Sequence, residues 1–434
     1  MKTNSTMNEK QETAQGQMQT ERTSQPKIQV DSLVKIFGNS PREGLKLMRE
    51  GHTRDSILEK TGNVVGVGGV SFDINEGELF VIMGLSGSGK STLIRCLNRL
   101  IEPTSGQVLI DNEDVAHVDL ERLREVRRTK MAMVFQKFAL FPHLTVAENT
   151  EYGLKVRGVD DKERRNKALE TLEIVGLHKW ANRYPSELSG GMQQRVGLAR
   201  ALATDPDILL MDEAFGALDP LIRRDMQAEL MRLQDELHKT VVFISHDIHE
   251  ALKIGDRVAV MKDGYFVQVG TPEELVTNPT DDYIRDFMMD VNRAQVLKTG
   301  SLTRKTIPFI LGNGSARSAL EQMQRHQREE MYVVDRNNSP IGVVTTQGLT
   351  KALEEGTEDI KKVMNTDFPK VQASTTIEEV AHLCQQELPL AIIDDQGDFK
   401  GVVEHSDILA SIGRIKEDAD DSAETENQPQ QIAV

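Results

Sequence analysis

The chain has 434 residues, of which 38% are hydrophobic and 28% charged, with a formal net charge of −16 at pH 7. That length exceeds one ordinary domain, and that balance suits a chain able to bury real cores. The acidic excess argues against a general nucleic-acid binder, because a phosphate backbone needs a basic surface.

Residues 1–26 are mostly Gln, Thr, Ser, Asn and Glu and read as a disordered tail, since they bury too little apolar surface to offset ordering entropy. Residues 27–291 alternate two kinds of segment. Leu79–Met83, Ile208–Met211, Thr240–Ile244 and Arg257–Met261 are short apolar runs that read as buried parallel strands. Thr92–Leu100 and Arg223–Leu237 carry helical spacing. Such alternation implies an α/β layered domain. An insertion, residues 39–63, interrupts it. Ser40-Pro-Arg-Glu43 has the form of a capping box with proline first, and Leu45, Leu47 and Met48 follow. One inserted surface helix is expected, either decorating the domain or meeting a partner.

Residues 302–413 contain a repeat. Met331–Leu349 lines up with Leu390–Ile408 at an offset of 59 residues, without a gap. Each copy (302–355 and 360–413) reads strand, polar turn, strand and helix start, after a helical segment, Ser315–Gln327 or Thr376–Gln386. Two such units are expected to close a core against each other. Residues 414–434 read as a solvated acidic tail. Cys96 and Cys384 lack metal or redox spacing, as expected of reduced cytosolic thiols. No apolar run approaches the ~18 residues that span a bilayer, and the N-terminus lacks a signal-peptide core. The expectation is a cytosolic chain that reaches a membrane only through a partner.

Gly84-Leu-Ser-Gly-Ser-Gly-Lys-Ser91 follows a strand and precedes a helix, as a phosphate-binding loop does. Its glycines let backbone N–H groups converge on phosphates, to which the helix N-terminus adds positive potential. Lys90 would reach the β- and γ-phosphates, and Ser91 would ligate Mg²⁺. Asp212-Glu213 ends a buried strand, which puts both carboxylates at the sheet's carboxyl edge. Asp212 would hold the Mg²⁺ shell, and Glu213 would orient or deprotonate the attacking water.

Leu188-Ser-Gly-Gly-Met192, opening a helix shortly before Asp212, resembles the signature motif of ABC ATPases. On that resemblance Gln136 matches the glutamine that senses Mg²⁺ and the γ-phosphate. Ala217-Leu-Asp219 matches the loop that faces the second subunit, and His246 matches the switch histidine. The family's fold, a RecA-like P-loop core with a helical subdomain (about 137–205), is implied. So is a head-to-tail dimer of two copies, in which ATP bound by Gly84, Leu85, Ser86, Gly87, Ser88, Gly89, Lys90, Ser91 and Thr92 faces Ser189, Gly190 and Gly191 of the other copy. The family places an aromatic on adenine; Phe37 is the candidate, with a simple core phenylalanine as the alternative. Phe138–Asn149 resembles the importer segment on which a permease docks. The repeat resembles a tandem CBS pair, an α+β module. Together these features resemble the ATP-binding subunit of glycine betaine/proline (quaternary amine) importers. That resemblance implies a location on the cytoplasmic face of the cell membrane, through a permease with an associated substrate-binding domain. In that family the CBS pair responds to ionic strength or to an adenine cyclic dinucleotide. Asp407 matches the ribose-binding aspartate; Gly348 departs from it in the first repeat, and a purely dimerising module is the alternative.

Overall fold

The computed structural model describes residues 25–411 apart from 136–138, 217, 313 and 386–387. Gln136, Ala217, nearly all of the 1–26 tail and the 414–434 tail therefore lie outside the described residues. The chain divides into two compact units between Pro272 and Glu273.

Alternating apolar residues build an N-terminal ribbon. β1 (Ile28–Phe37) and β2 (Val64–Ile74) pair antiparallel, with Ile28 opposite Ile74 and Phe37 opposite Val64. Between them stand two helices, α1 (Pro41–Arg49) and α2 (Arg54–Thr61), where the sequence suggested one. The break falls at Gly51, whose φ of 86° ends the first helix, and Thr53 caps the second by accepting from Ser56 N. Pro41 stands in the first turn as expected, but Ser40 makes no side-chain cap. Its backbone is bonded instead to the Asn63 side chain. Ile57 joins Val34, Ile36 and Val65 in a small core, over which Leu45, Leu47 and Met48 pack.

β3 (Leu79–Met83) is buried at every position, as a strand covered on both faces must be. It leads to α3 (Lys90–Leu97), after which β4 (Ser105–Ile110) and β5 (Glu113–Asp114) extend the ribbon into a sheet ordered β2-β1-β4-β5. α4 (Leu120–Thr129) and β6 (Met131–Val134) precede the helical segment, formed by α5 (Val146–Val156), α6 (Asp161–Ile174) and α7 (Gly190–Leu202). Then come β7 (Ile208–Asp212), α8 (Pro220–Leu237), β8 (Thr240–Ser245), α9 (Ile248–Ile254), β9 (Arg257–Lys262) and β10 (Tyr265–Gly270). The large sheet is ordered β10-β9-β3-β8-β7-β6, parallel from β9 to β6. This is the expected α/β P-loop core with a helical subdomain. Its parallel strands bring the ends of β3, β7 and β8 to one edge, where a ligand site forms.

α10 (Pro272–Thr277) begins at the boundary, and α11 (Asp282–Met288) and α12 (Arg293–Val296) follow in the second unit. Ala294 and Leu297 share a core with Ile377, Leu390, Ile392 and Val403, so the residues before the repeat belong to its packing. The first repeat comprises β11 (Phe309–Ile310), α13 (Ala316–Arg325), β12 (Glu330–Val334), β13 (Pro340–Thr345) and α14 (Thr346–Glu354). The second comprises β14 (Lys370–Gln372), α15 (Ile377–Val380), β15 (Leu390–Ile393) and β16 (Phe399–Val403). Each has a three-stranded sheet with one parallel and one antiparallel pairing. The polar turns repeat as well. Asp335 Oδ1 accepts from Asn337 N and Ser339 N, and Asp394 Oδ1 accepts from Gln396 N and Asp398 N. α15 is one α-helical turn that tightens to 3₁₀ geometry over Ala381–Gln385, where a longer helix was expected.

Both repeats contribute to one core, Tyr332, Val334 and Val343 from the first with Ala391, Phe399 and Val402 from the second. Phe399→Ala should therefore cost about 3 kcal/mol in denaturant unfolding and lower hydrogen-exchange protection in both repeats. Loss confined to the second repeat would contradict a shared core.

Candidate functional site

A buried strand that turns at once into a helix leaves no space for side chains in the turn. Gly84 and Gly89 have φ of 147° and 107°, and an added Cβ would stand 2.1 Å from Met261 O and 2.2 Å from Gly66 O respectively. Leu85, Ser86 and Gly87 are exposed, whereas Ser88 is buried and its hydroxyl has no hydrogen-bond partner. Lys90, 4% exposed, donates to Gly84 O at 2.8 Å and Leu85 O at 3.0 Å. Burial pulls its pKa down, against the opposing pull of Glu213 and Asp212. Ser91 Oγ donates to Asp212 Oδ1 at 2.8 Å, and Arg95 holds Oδ2 through Nε at 3.2 Å and Nη2 at 2.8 Å. Asp212 is 1% exposed, so these partners meet the need of a buried carboxylate for matched charge. Arg95 was not foreseen. Its signal was its place four residues after Ser91, on the same helix face.

Glu213 follows with φ of 46°, a conformation non-glycine residues adopt at a cost, which turns the chain out of the strand line. Its Oε2 lies 3.9 Å from Nδ1 of the exposed His246, at the end of β8. Thus Lys90, Ser91, Asp212, Glu213 and His246, scattered in sequence, meet at one sheet edge. Thr92 is half-buried on α3. Asp219 caps α8, accepting from Leu221 N and Ile222 N at 3.1 Å. Ser189 caps α7 through Met192 N at 3.4 Å; Gly190 has no atom within 4 Å of an added Cβ, and Gly191 packs on Ile222. Among the described residues no hydrogen bond or ion pair joins Ser189–Gly191 to Gly84–Ser91 of the same chain. Gln136 lies outside the described residues, beyond β6, whose Val134 pairs with Met211.

Behind His246, Glu250 is 7% exposed and accepts from Gln227 Nε2 at 3.0 Å and from the Ser245 hydroxyl. Arg223 reaches the neighbouring Asp247 at 3.3 Å. Burial raises the Glu250 pKa, Ser245 and Gln227 lower it, Asp247 adds to the rise and Arg223 opposes it. In the helical subdomain Asn149 is fully buried; it accepts from Phe141 N at 2.8 Å and donates to the carbonyls of Phe141, Leu144 and Thr145. Phe141 packs against Tyr152 with centroids 4.4 Å apart.

In the second unit a cleft of about 570 Å³ opens between the repeats, lined by Thr306, His326, Arg328, Tyr332, Glu404 and His405 among others. Asp407 is ion-paired with Arg304, which also reaches Glu404 at 3.4 Å. Thr345 caps the helix that follows it, and Glu404 stands at the equivalent place in the second repeat. Burial, with repulsion from Glu329 and Glu404, raises the pKa of Glu330 in the cleft wall.

A phosphate loop between a parallel strand and a helix, acidic residues at the end of β7 in the same sheet and a glycine-opened signature helix define an ABC-type ATPase subunit. A family model described as ABC transporter matches residues 67–216, and a CBS domain model matches 300–355 and 360–414. The chain is 48% identical to the glycine betaine transport ATP-binding protein OpuAA of Bacillus subtilis, over 89% of this chain and 92% of that protein. It is 48% identical to the glycine betaine/proline betaine transport system ATP-binding protein ProV of Escherichia coli, over 89% and 98%. It is 44% identical to the glycine betaine/carnitine transport ATP-binding protein GbuA of Listeria monocytogenes, over 89% and 97%. The chain belongs to the family of ATP-binding subunits of glycine betaine/proline betaine ABC transporters, and it carries tandem CBS domains. It is a transport ATPase. No helix among the described residues is long and apolar enough to cross a membrane.

The Glu250 carboxyl is protonated over a wider range in the folded chain than in the unfolded one. Its contribution is therefore most favourable below the ordinary carboxylate range and declines as pH rises through the raised folded pKa. Glu250→Gln should remove that decline. Paired thermal melts from pH 4.5 to 8 should show the variant gaining on the wild type as pH rises; a constant difference would contradict the raised pKa.

Proposed function

We propose that this chain energises import of glycine betaine/proline-type quaternary ammonium solutes from the cytoplasmic face of the cell membrane, as one of two copies bound to a permease with its substrate-binding domain. One observation carries this reading. Lys90, Ser91, Asp212, Glu213 and His246 converge at a sheet edge in a chain that three relatives named for betaine transport cover to 89%.

ATP phosphates rest on the N–H groups of Gly84–Ser91 at the start of α3. The crowded glycines and the partnerless Ser88 hydroxyl fit such an anion. Lys90 turns from the loop carbonyls to the β- and γ-phosphates, and Phe37 stacks on the adenine beside Thr92. Ser91, Asp212 and Gln136 would hold Mg²⁺, which would neutralise phosphate charge. Glu213 orients and deprotonates the attacking water, and His246 faces the γ-phosphate. Ser189, Gly190, Gly191 and Asp219 complete the site of the other copy, so that ATP closes the dimer and hydrolysis reopens it. The open surroundings of Gly190 support a partner there.

The CBS pair regulates transport through ionic strength or a cyclic dinucleotide. Asp407 is its contact residue, and Arg304 must release it before a ribose can bind. A module that only dimerises is the second reading, supported by the missing aspartate at Gly348.

Glu213→Gln should abolish turnover while trapping an ATP-bound dimer in size-exclusion chromatography; near-wild-type hydrolysis would remove Glu213 from the base role. A chain ending at Pro272 should keep ATPase activity and lose its response to potassium chloride in the reconstituted transporter. A full salt response there would overturn the regulatory assignment. Proteoliposome uptake of betaine, proline and carnitine tests the solute class.

A further inference from the structure

The insertion between β1 and β2 lies in the ribbon that carries Phe37, and alternation along that ribbon sorts its side chains to two faces. Ile36 and Val65 point into the small core built with Ile57, Leu45, Leu47 and Met48. Their neighbours Phe37 and Gly66 point the other way. A Cβ on Gly66 would stand 2.8 Å from Phe37 Cε2 and 3.3 Å from Thr92 Cγ2, so the ring edge lies over bare backbone beside the cradle helix. Phe37 remains 39% exposed, and Lys35 Nζ, tied to Glu102 O at 2.9 Å, stands 5.0 Å from its ring centroid.

The ends of the insertion are joined by one buried polar side chain. Asn63, with no exposed surface, accepts from Ser40 N at 3.2 Å and donates to Ser40 O at 3.0 Å and to Thr61 Oγ1 at 2.8 Å. It immediately precedes Val64, the partner of Phe37 in the ribbon register. An amide with both ends satisfied out of water admits few other arrangements, because any shift strands a buried donor or acceptor.

We infer that the insertion is a brace that holds the Phe37 ring in place for the nucleotide base, and that Asn63 is its positioning residue. The inference rests on the reading of Phe37 as the adenine-stacking side chain. Without the Asn63 bonds the two ends of residues 38–63 separate, the small core loosens beneath Ile36 and Val65, and the ring loses its fixed seat over Gly66. The phosphate cradle is built on β3 and α3, with Lys90 and Ser91 tied to Gly84, Leu85 and Asp212, and where it rests on Gly66 it meets backbone held by the pairing of Val65 with Ile36 and of Val67 with Lys35, so it keeps its shape. The loss therefore falls on base recognition alone, which is the signature of a positioning residue as opposed to one that merely holds the fold.

Calorimetric titration of the full chain with ADP and with pyrophosphate separates the base contribution from the phosphate contribution without turnover. Phe37→Ala should lower the ratio of the two affinities about tenfold, the scale of one aromatic–base stack. Asn63→Ala should lower it about three- to tenfold and leave pyrophosphate affinity unchanged. In a Phe37→Ala background the Asn63→Ala change should have no further effect, because the two act through one ring. Asn63→Asp, which keeps the acceptor for Ser40 N and loses both donors, should fall between and carries the comparison if the alanine variant does not fold. If Phe37→Ala lowers the ratio and neither Asn63 variant does, the brace is overturned and the stacking assignment stands. If Phe37→Ala leaves the ratio unchanged, stacking itself is overturned, and the brace with it. Equal loss of both ligands in the Asn63 variants would make Asn63 a structural residue only.

Discussion

The carboxylate of Asp212, 1% exposed at the end of β7, is the constraint on which the rest of the first unit turns. A charge so placed must be matched nearby, and it is matched by Ser91 and Arg95, one turn apart on α3. That requirement ties the cradle helix to the central sheet. With α3 fixed, Lys90 reaches the carbonyls of Gly84 and Leu85, and the loop closes over backbone at Met261 and Gly66 that only glycine can approach. Glu213 leaves the strand at the next residue and meets the end of β8 at His246. The polar groups of the site are thus spaced by the parallel sheet and oriented by one buried charge.

Single polar side chains also pin the chain elsewhere. Asn149 threads three carbonyls and an N–H at the entry to the helical subdomain, and Asn63 closes the base of the insertion. In the repeats Asp335 and Asp394 each collect two turn N–H groups, so the strands on either side enter the shared core in matching register. Each side chain sits where the chain changes direction and pairs backbone groups that the turn leaves without a ladder or helix partner.

Much of this was legible. The strands at Leu79, Ile208, Thr240 and Arg257 announced themselves as unbroken apolar runs, which only a strand buried on both faces uses at that length. The phosphate loop was legible because its glycines answer to backbone crowding, which acts locally. The repeat was legible because the two copies share their turns. The insertion reads in sequence as one helix, because its mixed charges hide the break at Gly51 and the form of Ser40–Glu43 suggests a cap that Asn63 pre-empts. Arg95 and Glu250 are not legible, for a different reason. Arg95 acts on a carboxylate 117 positions away, so its place one turn after Ser91 marks the helix face but not the partner, and the Gln227 that meets Glu250 lies 23 positions before it.

By itself, then, the sequence determined the alternation of strands and helices, the cradle, the acidic pair at the end of β7 and the duplicated C-terminal unit. All of these follow from hydrophobic period or from local backbone crowding. Only the tertiary structure decided that Asp212 is shared between Ser91 and Arg95, that Glu213 faces His246, that Asp407 is held by Arg304, and that Asn63 closes on Ser40. Those pairings join residues distant in the chain. A polar side chain acquires its role from whichever partner folding brings within about 3 Å of it, and that distance is not a property of sequence order.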